Sequence, residues 1–443
     1  MAGAQPRLSI TYYDHDYNEL GTIGDYVTAE FEWKRNDVGG GTLELAGDSP
    51  HAGRLMECAP TKSRPHGDVV PIVCDFRKER WSGRVLSYDL EGTPGNKTLT
   101  CQLVSDWYHM RALLAWPNPL LPLEIQWPQN DPFIGPIDAA VKYYIFKNIA
   151  RYQLPIEVLW PDGKNIFRLK TWSNFVARMA PMDELFKDAL KDTDANVTLK
   201  LWLPGDPQPS PDTHRLTRPC IVLDVNDNRD MRHVRWDERR GGGIVKSKVS
   251  GQAQTAAHII VGGKSYDFIN ELVAQGLNVA INAALTYFGL AGVGNIITDQ
   301  FDDVIMAFNR FDHWETVLTH GRFYFREGYA NGGAGGFTAD AVQAGMQAIH
   351  EKKARRTVRF EVVDGFPYEF GEDYTIGDIV TGVIEDEEHE QVVNSAKVRD
   401  SRDGAVEVSV VIGDDDIGEA GVSRIIRRSK DFEKWIKALS LAS

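Results

Sequence analysis

Val27, Ala29, Phe31 and Trp33 alternate with Thr28, Glu30 and Glu32. A period of two puts the apolar set on one face of a β-strand and the polar set on the other. The same period returns far down the chain at Val358, Phe360 and Val362, and again at Val406, Val408, Val410 and Ile412. Two separated β regions are therefore expected, 8–110 and 357–413. In the first, further strands are predicted at 8–13, 42–45, 69–74, 83–90 and 98–104. Asn36-Asp37, Gly39-Gly40-Gly41, Asp48-Ser49-Pro50 and Pro94-Gly95-Asn96 separate them. Short strands at this spacing predict a small barrel or sandwich. In the second region Tyr374 to Val380 continues the strand pattern.

The stretch between reads differently. Residues 116–136 carry Pro117, Pro119, Pro122, Pro128, Pro132 and Pro136. Proline at this density predicts an extended linker or wrapped loop without ladder pairing. Pro136 then opens a helix on Ile137, Val141, Tyr144, Ile145 and Ile149, which share a face. A helix over 181–192 and strands at Leu199, Leu201 and Leu203 and at Cys220 to Val225 make 116–255 a mixed α/β domain. The expected division is a β-barrel over 1–115, that mixed domain, an apolar helical segment with a Gly-rich loop (328–336) over 256–338, a helix plus second barrel over 339–420, and a C-terminal helix over 421–443.

From Leu272 to Thr298 no residue is charged. Gln275, Asn278, Asn282 and Asn295 interrupt the apolar surface, and Gly276, Gly289, Gly292 and Gly294 loosen it. A transmembrane helix needs roughly 20 apolar residues without such breaks. Three readings stay open: a core or oligomer-axis helix, a tip that meets a bilayer, or an irregular loop. In the second, Leu285, Tyr287, Phe288, Leu290, Val293, Ile296 and Ile297 make the membrane or lumen contact. Charge returns over Asp299 to Arg310 on an expected amphipathic helix with Phe301, Val304, Ile305 and Phe308 on one face.

Among 443 residues, 49 basic against 63 acidic give a net charge of −14. Affinity for duplexes rests on neutralising phosphates, so no specific nucleic-acid partner is expected. The 42% apolar content excludes wholesale disorder. Cys58, Cys74, Cys101 and Cys220 have no C-x-x-C spacing, so they read as free thiols rather than a zinc or redox site. His258 to Ser265, HIIVGGKS, lacks the first glycine of a phosphate loop and reads as strand and turn. Asp224 to Asp230 begins like a calcium loop, but Arg229 replaces the sharp-turn glycine and Arg235 the bidentate acid. It reads as a polar turn. Glu385 to Glu390, EDEEHE, reads as a charged hairpin loop. No catalytic residue, cofactor or metal site is singled out.

The order of these parts carries a resemblance. ITYYDHDYNELGTIGDYVTAEFEWKRNDVGGGTLEL (10–45), RWSGRVLSYDLEG (80–92) and LTCQLVSDWYHMRALLAWP (99–117) are similar to minor tail proteins of siphoviruses infecting actinobacteria, of the baseplate-hub or tail-associated type. YTIGDIVTG (374–382) resembles the start of the second barrel in many tail hub proteins. There Gly377 permits the turn and Asp378 can accept backbone hydrogen bonds.

The resemblance implies an α+β multidomain chain with two tail-tube-like β-barrels and an intervening mixed α/β domain. It implies a homotrimer at the virion tail tip, assembled in the host cytoplasm, joining a sixfold tube to threefold tip components. Implied partners are the distal tail protein, the tape measure protein, and other minor tail or receptor-binding proteins. A transient host-membrane contact, host attachment and DNA ejection are implied roles. A tail-associated lysin and a sixfold distal tail protein are the alternatives.

Overall fold

The computed structural model describes residues 7–413 except 63, 128–130, 161–171, 192, 194, 210–214, 241, 253–257, 263–307, 313–326, 332–354 and 403. The first region supplies β1 (Ser9–Tyr13), β2 (Glu19–Ile23), β3 (Tyr26–Lys34), β4 (Gly40–Ala46), helix α1 (Ala52–Leu55), β5 (Pro71–Phe76), β6 (Glu79–Thr93), β7 (Asn96–Ser105) and helix α2 (Tyr108–Ala112). The strands pair antiparallel in the order β3-β4-β7-β6-β5-β1-β2. Ala29, Phe31 and Trp33 face the core as the alternation requires, but Val27 is exposed and Tyr26 is buried. A bulge between Tyr26 and Thr28 inserts one residue and flips the face there.

A second hydrophobic core is built from residues between Trp107 and Val225, joined by Tyr13 and Val73 of the first region. It holds β8 (Asp131–Pro136), α3 (Ile137–Ile149), β9 (Ile156–Val158), β10 (Trp172–Ala177), α4 (Met182–Lys191), β11 (Ala195–Trp202) and β12 (Cys220–Asp227). α3 buries Val141, Tyr144 and Ile145 against Phe175, Phe186 and Leu223 in one cluster. The expectation that prolines bar 116–136 from any ladder fails at its end, because β8 pairs with β10. Pro132 and Pro136 share one parity, so their missing N–H groups fall on the same side of β8, which has one neighbour among the described residues.

The remaining strands are β13 (Asp230–Asp237), β14 (Ile244–Gln252), β15 (His258–Gly262), β16 (Phe308–Asp312), β17 (Glu327–Asn331), β18 (Arg355–Val363), β19 (Ile379–Ile384), β20 (Glu387–Ser401) and β21 (Glu407–Gly413). β16, β15 and β17 form a small sheet. Phe308 to Arg310 is therefore strand rather than the end of an amphipathic helix, and 328–331 is strand rather than Gly-rich loop. Residues 272–298, with all seven proposed contact residues, lie outside the described residues, as do 339–354, where the expected helix before the second barrel would start, and the C-terminal helix expected over 421–443.

β13 and β14, grouped by the sequence reading with the mixed α/β segment, join the large sheet. Tyr374 to Asp378 is not strand; the strand begins at Ile379 because Gly377 takes φ +89° and turns the chain. In EDEEHE only Glu385 and Asp386 form the turn, both at positive φ, and Glu387 onward lies in β20.

The large sheet has 13 strands in two halves of matching topology. β14-β18-β21-β20-β19-β13 repeats the order β3-β4-β7-β6-β5-β1, in the same chain order apart from β2. β6 and β20 are both 15 residues long, and each follows its predecessor through a two-residue turn. Pro71 pairs with Arg84 as Ile379 pairs with Val392. The bulge at Val85/Ser87 recurs at Val393/Ser395, and that at Tyr26/Thr28 recurs at Ile244/Lys246. One difference remains: β1 meets β5 antiparallel, whereas β13 meets β19 parallel.

The halves are not separate. β3 pairs antiparallel with the second part of β20, Thr28 opposite Ser401 through Lys34 opposite Ser395. One apolar core runs through both, from Ile10 and Phe31 to Phe360 and Ile412. Among the described residues the strand path is open, with β2 and β14 at its ends.

Candidate functional site at the seam between the two halves

Phe31 and Val398 face each other across the seam and are wholly buried. On the opposite face Lys397 Nζ donates to Glu30 Oε1 at 2.9 Å. At the seam's end the Asp400 carboxylate, with no exposure, accepts from Arg7 Nη1 (3.0 Å), the Leu8 backbone N–H (3.3 Å) and Tyr26 Oη (2.8 Å). Three donors offset the desolvation of a buried anion. The two-residue turn of the first half crosses as well. Arg77 Nη1 and Nη2 donate to Asp364 at 3.0 and 2.8 Å, and Nη1 also donates to the Phe370 carbonyl. A carboxylate receiving a bidentate guanidinium fixes orientation as well as distance.

The mixed body between the halves docks on both. Arg35 donates to the carbonyls of Thr193 and Ala195, both at 2.9 Å. Asn36 Oδ1 accepts from the Val197 backbone at 2.7 Å, and Trp107 Nε1 donates to the Val197 carbonyl. Asn196 on the same strand reaches the second half, donating to the Ile376 carbonyl at 3.3 Å.

Gly377 and Asp378 sit at this junction. A Cβ on Gly377 would fall 2.2 Å from Asn196 Nδ2, so a side chain there would displace Asn196, and the positive φ favours glycine. Asp378 is buried and accepts from the Thr375 backbone (2.9 Å) and from Arg229 Nε (2.9 Å). The Val393 N–H donates to the Asp378 carbonyl and the Ile379 N–H to the Arg229 carbonyl. The polar turn expected over Asp224 to Asp230 shrinks to Asn228 and Arg229, because β12 reaches Asp227 and β13 starts at Asp230, and Arg229, the residue that spoils a calcium loop, serves as an ion-pair partner. The resemblance marked Gly377 and Asp378, and Arg229 stood out only as a break in a calcium loop, while nothing pointed to Asn196, Arg77 or Asp364. Isolated polar residues carry no periodic signal.

All four cysteines are free thiols, Cys74 and Cys101 buried and Cys58 and Cys220 half-buried. Among the described residues no group of three or more His, Cys, Asp or Glu gathers as a metal site. Nor is any helix there long and apolar enough to cross a membrane. What the described contacts build is a joint between the two halves and the mixed body.

Comparison with known proteins finds phage tail proteins. Minor tail protein Gp28 of Mycobacterium phage L5 is 22% identical over 90% of this chain and 89% of its own length. Its counterpart from Mycobacterium phage D29 is 20% identical over the same shares. Among solved structures, the 43 kDa tail protein of prophage MuSo2 from Shewanella oneidensis aligns with 91% of this chain and 98% of its own, at 10% identity and TM-score 0.44. Prophage tail protein gp18 from Listeria monocytogenes aligns over 97% and 99%, at 9% identity and TM-score 0.43. Residues 9–414 match the profile of the Siphovirus ReqiPepy6 Gp37-like proteins, and to that siphovirus family, with minor tail proteins among its similar sequences, this chain belongs.

Proposed function

We propose that the chain is a non-enzymatic minor tail protein, the trimeric hub at the tip of a siphovirus tail. The observation that carries this reading is the matched pair of β units joined edge to edge in one chain. Three such chains present six similar units, which is what a threefold part needs in order to meet a sixfold tube. Each unit is then a tube-like barrel whose closure is completed within the ring. The minor tail proteins among the similar sequences support the tail location. The distal tail protein ring, the tape measure protein and receptor-binding or other minor tail proteins are the proposed neighbours. Assembly takes place in the host cytoplasm, and the hub acts in host attachment and DNA ejection.

The uncharged run from Leu272 to Thr298 is proposed to plug the lumen or touch the host membrane during ejection, through Leu285, Tyr287, Phe288, Leu290, Val293, Ile296 and Ile297. Charged substitutions at Phe288 and Ile296 are then expected to block infection and leave assembly intact. Loss of assembly would make the run a structural core instead.

Quantitative mass spectrometry of purified virions, referenced to the tail tube subunit, tests the hub reading. About three copies per particle are expected. About six would indicate a sixfold ring protein, and absence from the virion would end the tail assignment.

A further inference from the structure

The matched halves also say where one chain meets the next. Within the chain, β3 of the first half pairs with the second part of β20 in the second half. By the topological match, β14 stands where β3 stands and β6 where β20 stands. The equivalent contact is therefore β14 against the second part of β6. Within one chain this pair does not form. β6 meets β5 only through Arg84, so its edge from Ser87 to Thr93 has no strand beside it among the described residues. β14 is likewise paired only with β18.

We propose that β14 of one copy pairs antiparallel with Ser87–Thr93 of a neighbouring copy, closing a three-chain ring of six units. The proposal rests on the hub reading and names its subunit interface. A head-to-tail contact of two different surfaces closes a ring when the rotation permits, and it covers two strand edges that are otherwise templates for misassembly.

The register transfers from the internal seam. Phe31 opposite Val398 becomes Val249 opposite Leu90. Phe31 and Val398 are fully buried, whereas Val249 is 36% exposed and Leu90 is half-buried. Both counterparts are apolar and would be covered by the contact.

Charge supports the same partner. In the internal seam β3 supplies acids, Glu30 and Glu32, and β20 supplies bases, Lys397 and Arg399. In the proposed seam β14 supplies bases, Lys246 and Lys248, and β6 supplies acids, Asp89 and Glu91. Lys248 takes the place of Glu30, Asp89 that of Lys397, and Glu91 that of Arg399. Each seam is complementary, and the polarity is reversed between them. Opposite charges directly across or diagonal on antiparallel strands attract, and like charges repel. Reversed polarity thus favours each strand's own partner over the other half's strand.

Charge reversal in the full chain, expressed during phage assembly, tests this. Lys246→Glu with Lys248→Glu, and separately Asp89→Lys with Glu91→Lys, should each lower the copies per virion at least tenfold. All four changes together should restore most of the loss. Unchanged melting temperatures of the purified variants show that folding is intact. Carbodiimide treatment of unaltered virions should join Lys246 or Lys248 to Asp89 or Glu91 of another chain. If both reversals assemble normally, or if the fourfold variant does no better than either, the seam is wrong. If unaltered virions do not hold three copies, it is the hub reading that fails.

Discussion

Arg77 and Asp364 form a bidentate ion pair from opposite halves of the large sheet, with side chains only 4% and 3% exposed. Asp364 also accepts from the Phe370 backbone at 2.7 Å, and Glu369 lies 3.7 Å from Arg77 Nε. The pair locks the β5–β6 turn onto the chain that follows β18.

Removing one partner of such a pair strands the other charge. Asp364→Ala is expected to destabilise the protein by about 3–5 kcal/mol. Arg77→Met with Asp364→Leu should cost clearly less, because no charge is left buried. Urea denaturation of the two variants measures the difference. A loss under about 1 kcal/mol for Asp364→Ala would contradict a structural role for the pair.

Gly377→Ala combines a positive-φ penalty of about 1–2 kcal/mol with the clash against Asn196. Asn196→Gly on the same background should remove the clash and leave the φ penalty. The stability of the double variant should therefore fall between those of Gly377→Ala and the unaltered protein, after correction for Asn196→Gly alone. No recovery would show that contact with Asn196 is not what excludes a side chain.

His109 gives a pH dependence. Arg84 Nη2 lies 2.6 Å from its Nε2, and a guanidinium only donates, so the folded ring accepts there and is neutral. Burial, and then the Arg84 charge, push its pKa from 6.5 down to about 4. The unfolded chain gains this proton as pH falls through 6.5, and the folded chain only near 4. The stability is full above that window and is lost as pH falls through it, by about 3 kcal/mol. His109→Gln should flatten this part of the profile, read as urea midpoints across the window. An unchanged slope would assign the effect to other groups.

The buried thiols should be inert. Burial pushes the Cys101 thiol up to about 12 and raises Cys74 well above its ordinary value, so neither supplies thiolate near neutral pH. Native alkylation should spare both and label them on unfolding. Rapid labelling of either in the folded protein would contradict their place in the core.

The strands were legible where one face is buried and the other wet. Val358, Phe360 and Val362 lie in β18, and Leu43 and Leu45 in β4, as their spacing required. The bulge at Tyr26/Thr28 was not legible, because an inserted residue leaves composition unchanged while flipping Val27 outward. Two β regions were expected, but the strand-by-strand match between them was hidden for a related reason. Thr22 to Thr28 and Thr375 to Thr381 read TIGDYVT and TIGDIVT, yet they lead into β3 and β19, which are not counterparts. The true counterparts, β6 and β20, share length, turn and bulge but little sequence. Pairing between β3 and β20 joins residues far apart in the chain, and no local pattern encodes it.

In the proposed hub, one chain supplies two equivalent units to a single ring. Cryo-electron microscopy of the intact tail tip, reconstructed with threefold symmetry only, tests it most directly. The expected result is three chains in a ring of six alternating units, with the β3–β20 seam within each chain and a matching strand pair between chains. Six chains in the ring, or the two halves of each chain at different levels along the tail axis, would contradict it.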